Sequence, residues 1–358
     1  MRFQQLERLP RHLVSYLIFI GVVCSGILWA PEAYSETKAP SFHGYFTLEY
    51  EVSNKNASSR RGTFDLRHFN VISKYHVSHK SIVFGEIEWE HGPDFEDDRA
   101  VGGIKLERGW FEYAFSSKFK LRAGKFLTPF GNYNIIHDAT PAYTTTILPS
   151  SLYGKHGSRG RLFSKFSLGV MLNGAFSSDK WESEYSLFLT NGRGNNPYEI
   201  DDNANKGVGA SFSILDVDRT VQFTATAYRD RNNENGLNTR EAAYSGSLRF
   251  WFNQFKVEGE GALFRLETGN NSGIYINKRG GYIQCEYTIR NKFTPVFRFD
   301  LFDPDNKSAN DLETVLTAGM NLSLDRNTFL KSEIHFHQFD NNLQDDFRMF
   351  ISSLAVAF

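Results

Sequence analysis

Cysteine is almost absent from this chain: of the two in 358 residues, Cys24 sits in an amino-terminal apolar stretch and Cys285 stands alone in the remainder. No intrachain disulfide and no all-cysteine metal site can be built from that. Beyond residue 30 there is no apolar run long enough to cross a bilayer as a helix, so a crossing by the body of the chain must be made by strands. Neither sign of charge is in excess, with 40 basic and 41 acidic residues, and nucleic acid is not an implied partner. A phosphate-binding glycine loop and a GxSxG nucleophile turn are also missing. The chain is therefore not expected to be an enzyme or to carry a cofactor.

Aromatic residues are abundant, with 33 Phe, 16 Tyr and 5 Trp. The last twelve residues, Phe347 to Phe358, place Phe350, Ser352, Leu354, Val356 and Phe358 on one face and Ile351, Ser353, Ala355 and Ala357 on the other. That period of two is a strand, and large groups opposite small ones suit lipid on one side and a filled or wet interior on the other. A terminal Phe closing such an alternation resembles the carboxy-terminal insertion signal of bacterial outer-membrane β-barrels.

Residues 1–35 have the layout of an export signal. Arg2, Arg8 and Arg11 form a basic start, Leu13 to Trp29 an apolar core, and Ala33-Tyr34-Ser35 a cleavage site, so residues 36–358 are expected as the mature barrel. Cys24 follows Val23 rather than the small residue a lipoprotein signal needs.

The body of the chain divides into sixteen alternating segments, near 42–52, 63–76, 80–90, 103–115, 118–126, 162–176, 180–190, 207–215, 219–230, 242–252, 254–266, 278–290, 293–302, 312–324, 328–339 and 347–358. Short turns alternate with longer polar loops between them. That is the pattern of an all-β transmembrane antiparallel barrel with short periplasmic turns and long extracellular loops. Residues 65–70 and 107–115 do not settle on one register.

On the faces opposite the apolar ones stand Glu86, Glu88 and Glu90, then Arg122, Lys256, Glu258, Glu260, Arg298, Lys331 and Glu333. Unpaired charges cannot line a dry core, so these residues are expected to face water in a channel as wide as sixteen strands allow.

The connection at 127–161 is the longest. From Lys125 to Lys165 it holds five basic residues (Lys125, Lys155, Arg159, Arg161 and Lys165) against one acidic residue, Asp138, and Ala139 to Leu152 carry no charge. A loop of this length in a compact β-domain is usually functional. The run Leu121-Arg-Ala-Gly-Lys-Phe-Leu-Thr-Pro-Phe-Gly-Asn-Tyr-Asn134 resembles the segment entering loop three of porins of the phosphate-selective O/P type. The resemblance implies a third loop folded into a sixteen-stranded pore, basic residues along an anion path, and a homotrimer. Lys125, Lys155, Arg159 and Arg161 are the corresponding candidates for the constriction. The sequence departs from that family where the inward faces carry more Glu than Lys or Arg.

Other motifs point elsewhere. His76-Val77-Ser78 resembles the His-x-Ser of outer-membrane phospholipase but falls at a periplasmic turn, and His335 with His337 lack a visible third ligand for a metal. Asp94, Glu96, Asp97 and Asp98 form an acidic cluster in loop two, in reach of lipopolysaccharide and its divalent cations. The reading is an outer-membrane porin passing small hydrophilic solutes or ions, among them anions such as phosphate. Its rivals are a lipid-hydrolase barrel, an adhesin or structural barrel, and a sheath for an electron-transfer partner.

Overall fold

A computed structural model describes residues 39–96, 99–136, 139–154, 161–340 and 344–358. The expected export signal, Cys24, and Asp97, Asp98, Asp138, Lys155 and Arg159 lie outside the described residues. Sixteen strands close into one antiparallel barrel: β1 Ser41–Ser53, β2 Thr63–His76, β3 Ser81–Glu96, β4 Arg99–Ser116, β5 Phe119–Leu127, β6 Phe166–Ser177, β7 Trp181–Thr190, β8 Gly207–Asp216, β9 Val221–Asn232, β10 Thr239–Phe252, β11 Phe255–Glu267, β12 Tyr275–Tyr287, β13 Phe293–Asp303, β14 Glu313–Ser323, β15 Thr328–Phe339 and β16 Phe347–Ala357. Each strand pairs with its sequence neighbours, and β1 pairs with β16.

The segments expected from alternation coincide with these strands, apart from their ends. β3 and β4 run on to Glu96 and from Arg99, so the expected second loop is mostly the top of a tall hairpin. β12 starts at Tyr275 and stops at Tyr287, since Arg290 and Asn291 adopt positive φ in the turn that follows. The two segments without a clear register contain bulges. Pairing shifts between Thr47 and Leu48, which leaves Arg67 as an extra residue on β2, and between Glu86 and Ile87, which leaves Glu107 as one on β4. A bulge reverses the sense of alternation beyond it, which is why neither segment has a single face.

Every strand exposes at least one large apolar side chain, for example Ile87, Leu187, Phe223, Leu263, Ile283 and Phe297. A soluble protein does not carry a continuous apolar girdle; a barrel in lipid requires one. Cys285 is exposed on this face with Ile283 and Tyr287.

Phe358 stands at the seam where β1 and β16 close the barrel. Gly44 N–H donates to the Phe358 carbonyl at 2.8 Å, Phe358 N–H donates to Gly44 O at 2.9 Å, and the Phe358 ring lies 5.9 Å from that of Phe69. A Cβ on Gly44 would collide with that ring and with Asn70 O, so glycine is required at the seam. Deleting Phe358 removes both seam bonds and the ring. The truncated protein is expected to lose most of its heat-modifiable folded band on gels, and an unchanged band would disprove the role of the terminal aromatic.

Candidate functional site

The long loop between Leu127 and Phe166 folds into the barrel. Its neck is closed by Thr128 N–H donating to Lys165 O (3.0 Å), by the Asn134 amide donating to the carbonyls of Thr128 (2.7 Å) and Lys165 (2.9 Å), and by Thr128 and Ser167 hydroxyls 2.7 Å apart. Residues 162–165, expected in β6, belong to this neck. Inside, the tilted rings of Phe130 and Phe163 pack 4.3 Å apart and join Phe126, Phe264, Tyr133, Tyr153 and Tyr282 in a buried cluster. This cluster supplies the apolar contact that holds a loop of such length against the wall.

The same side of the barrel, β9 to β16, holds the loop by polar contacts. Tyr133 OH donates to Glu258; Tyr153 OH (2.7 Å) and Asn132 N–H (3.2 Å) donate to Glu260; Thr144 OH donates to Glu286 at 2.6 Å. Arg298 pairs with Asp300 at 2.7 Å and donates to Ile147 O (3.0 Å) and Thr145 Oγ1 (3.1 Å), while Ser151 OH donates to Asp300 at 3.0 Å. The Lys331 ammonium donates to the carbonyls of Thr140, Tyr143 and Thr145, and Glu333 accepts the N–H of Thr146. Gly131, at φ +63°, lies so close to the Tyr153 hydroxyl and the Glu260 carboxylate that no Cβ fits.

These contacts correct one expectation. Glu258, Glu260, Arg298, Lys331 and Glu333 point inward but are buried rather than wet, each 4% exposed or less. They are held by loop three and by one another, as buried charge requires, with Glu260 Oε1 left without a hydrogen-bond partner among the described residues. Lys256 completes the group by pairing with Glu258 (3.1 Å) and Glu286 (2.9 Å). Glu86 and Glu88 are likewise inward and buried: Glu86 is held by Arg108 and by Asn70 (3.0 Å), and Glu88 lies 2.6 Å from His68. Glu90 is more open and is paired with Lys105. Arg122 pairs with Glu112 at 2.7 Å and lies 4.0 Å over Trp110.

Lys125 is a second correction. It stands on the strand face opposite Arg122 and Phe126, its ammonium donating to Leu106 O (2.6 Å) and lying over the rings of Phe166 and Tyr198. Strand parity keeps it out of a constriction. Arg161 is inside, donating to Tyr153 O at 2.7 Å.

With loop three held on one side, open space remains on the other. A cavity of about 340 Å³ lies between the loop, at Tyr143 and Arg161, and a wall made of Glu49, Glu51, Asp65, Arg67 and His68. Nearer the short-turn rim, a cavity of about 310 Å³ is lined by Arg108, Lys120, Arg122, Asn173, Glu184 and Ser186. Alternation along β1 is the signal that finds Glu49 and Glu51; the bulge hides Asp65 and Arg67.

The hydrogen bonds of the loop tyrosines set a pH range for its attachment. Burial first, and the Glu260 carboxylate after it, hold the Tyr153 phenol well above its ordinary value. A folded-state value raised in this way leaves the contribution intact below about pH 10, where an unfolded tyrosine begins to ionise, and removes it progressively above. Tyr153→Phe should cost about 1–3 kcal/mol in urea unfolding at pH 8. The variant should also lose less stability than the parent between pH 9 and 11. Identical alkaline profiles would show that this phenol does not secure the loop.

A closed sixteen-strand barrel with an apolar outer girdle, a polar interior and an inward third loop is the architecture of bacterial outer-membrane porins. Solved structures of that class superpose over nearly the whole chain. The anion-selective porin from Comamonas acidovorans matches 90% of this chain and 100% of its own at a TM-score of 0.65 and 11% identity. Outer-membrane expressed OmpT of Vibrio cholerae matches 92% and 100% at 0.62 and 11% identity. OmpF of Salmonella typhi in complex with daunomycin matches 92% and 100% at 0.60 and 13% identity. At such identities the likeness shows the fold alone. No family model matches the sequence. An uncharacterized protein of Aquifex aeolicus (strain VF5) is 31% identical over 120 residues, a stretch covering 34% of this chain and 27% of that protein. The phosphate-selective O/P family is not among these findings.

Proposed function

We propose that the chain is a passive diffusion channel of the bacterial outer membrane for small hydrophilic solutes and ions, exported by the signal at residues 1–35 and working as a homotrimer. The observation that carries this reading is the attachment of loop three to the β9–β16 wall, which leaves a charged gap beside β1 and β2. A filled structural barrel would have no use for a gap bounded by Glu49, Glu51, Asp65 and Arg67. The anion-selective porin of Comamonas acidovorans and the trimer form of OmpT show that this fold accommodates both properties in other proteins.

Selectivity for anions such as phosphate would rest on Lys155, Arg159 and Arg161 of the loop. Of the wall's inward cations, Arg108, Arg122, Arg249 and Arg298 are each paired with a carboxylate and add little to it, whereas Lys120 lines the cavity nearer the short-turn rim. Three carboxylates and Arg67 on the wall face Arg161 of the loop across the described gap, which favours a weakly selective channel over a phosphate-specific one. Purified folded protein added to a planar lipid bilayer should give stepwise, ohmic conductance increments, grouped in threes if the trimer holds. A folded barrel that gives no steps in 1 M KCl refutes the channel.

A further inference from the structure

Four arginines converge on one spot of the outer surface. In the strand register, Arg229 of β9 and Arg265 of β11 stand directly opposite Ala242 of β10, one on either side; Arg240 is two residues above Ala242 on its own strand. Arg279 of β12 is opposite Leu263, which makes it the diagonal neighbour of Arg265. All four are exposed, and their parity is that of Tyr244, Leu248 and Leu263, the apolar outer face. None forms an ion pair with a described residue. The nearest carboxylates are turned to other tasks or stand off: Glu267 is buried and accepts the backbone N–H groups of Arg240 and Gly273, and Asp303 is opposite Arg279 in the register without an ion pair. Adjacent strands are ~4.8 Å apart, so Arg229 and Arg265 lie roughly 10 Å apart across the small Ala242.

Height fixes what this patch can meet. β10 ends at the short-turn rim with Phe252, and the rings of Phe255 and Tyr287 pack beside it, tilted and 4.5 Å apart, as an interfacial girdle. Ala242 is ten residues above Phe252, roughly 34 Å along the strand, or about 26 Å vertically at a tilt near 40°. An apolar band is about 25 Å tall, so Arg229, Arg240 and Arg265 stand just above it, at the headgroup level of the outer leaflet, and Arg279, in register with Leu263 and Tyr244, stands at its upper edge. Tyr244, exposed immediately below Ala242, marks that boundary. Between the two levels a glycine furrow, Gly246, Gly261 and Gly281 paired across three strands, runs between exposed Leu248, Leu263 and Ile283. Arg265 lies 4.1 Å over the Tyr275 ring, but none of the four guanidinium groups has a carboxylate among the described residues to neutralise it, which suits anions at this depth.

We infer that the β9–β12 face is a binding surface for a phosphorylated, acylated lipid of the outer leaflet, whose phosphates are bound by Arg229, Arg240, Arg265 and Arg279 while its acyl chains lie along the glycine furrow and the apolar side chains that flank it. The inference rests on the outer-membrane orientation proposed above, though not on conductance. Full-length folded protein in a zwitterionic detergent is titrated with lipid A, a bis-phosphorylated acylated glucosamine disaccharide, and with the same lipid after dephosphorylation, and adducts are counted by native mass spectrometry. The parent should retain the phosphorylated lipid preferentially. Replacing the four arginines by Gln should weaken retention at least about tenfold, while replacing them by Lys should keep most of it. Equal retention of the two lipids by the parent overturns the inference whether or not the Gln variant folds. So does full retention by a folded Gln variant, loss of oligomer without loss of lipid, or complete displacement by millimolar inorganic phosphate, which would mark a site for the soluble ion. Conductance is measured on the same samples. A parent that binds lipid without conducting keeps this surface and removes the channel.

Discussion

Arg298→Met is expected to cost the barrel about 3–5 kcal/mol and to release the middle of loop three. The guanidinium is 1% exposed and serves both wall and loop: it pairs with Asp300, equally buried, and donates to Thr145 and Ile147. Methionine fills most of the volume of the side chain but leaves the Asp300 carboxyl without its cationic partner and Thr145 Oγ1 without its donor, while Ile147 O keeps only the Thr145 hydroxyl (2.9 Å). Most of the cost is the uncompensated carboxylate, so adding Asp300→Leu should restore part of the stability without restoring the loop contacts. The measurement is urea unfolding of the barrel, followed by tryptophan fluorescence, together with open-channel noise in a bilayer. The single variant should unfold at lower urea and show larger current fluctuations; the double variant should recover the first property and not the second. If both variants unfold with the parent, the buried pair is not what holds the loop.

The barrel was legible in the sequence because lipid and lumen impose a binary choice at every strand position, and Leu312 to Leu324 or Phe293 to Leu301 display that choice without interruption. The location of loop three was partly legible, since its length and the uncharged run from Ala139 to Leu152 suit a segment lying against a wall. What it lies against was not. Tyr133 meets Glu258 and Thr146 meets Glu333 over separations of 125 and 187 residues, and alternation gives the face of a strand residue without giving its partner. Glu258, Glu260 and Lys331 therefore read as wet lining when they are attachment points. Lys125 was misplaced for a different reason: counting charge along the loop ignored the parity that puts it opposite Arg122. Asp65 and Arg67 were hidden by the bulge on β2.

Ion preference should depend on the gap beside loop three, and two sets of variants should move it in opposite directions. Replacing Glu49 and Glu51 by Gln and Asp65 by Asn removes the negative wall and leaves Arg67 and Arg161 facing the path; the zero-current potential in a KCl gradient should then shift toward anions. Replacing Lys155, Arg159 and Arg161 by Gln should shift it toward cations. The argument depends on distance and screening. Charges in bulk solvent act over ~10 Å at 0.1 M salt and ~3 Å at 1 M, whereas groups in a narrow, partly desolvated gap act on each permeating ion at higher effective strength. Both shifts should therefore persist in 1 M KCl, reduced but measurable. Lys125→Gln, on the other strand face, should leave the potential where it was. A wall triple variant that keeps the parent's conductance and potential places the ion path elsewhere in the barrel. Shifts that vanish at 1 M salt place these charges in a wide vestibule, where they bias the approach of ions and not their passage.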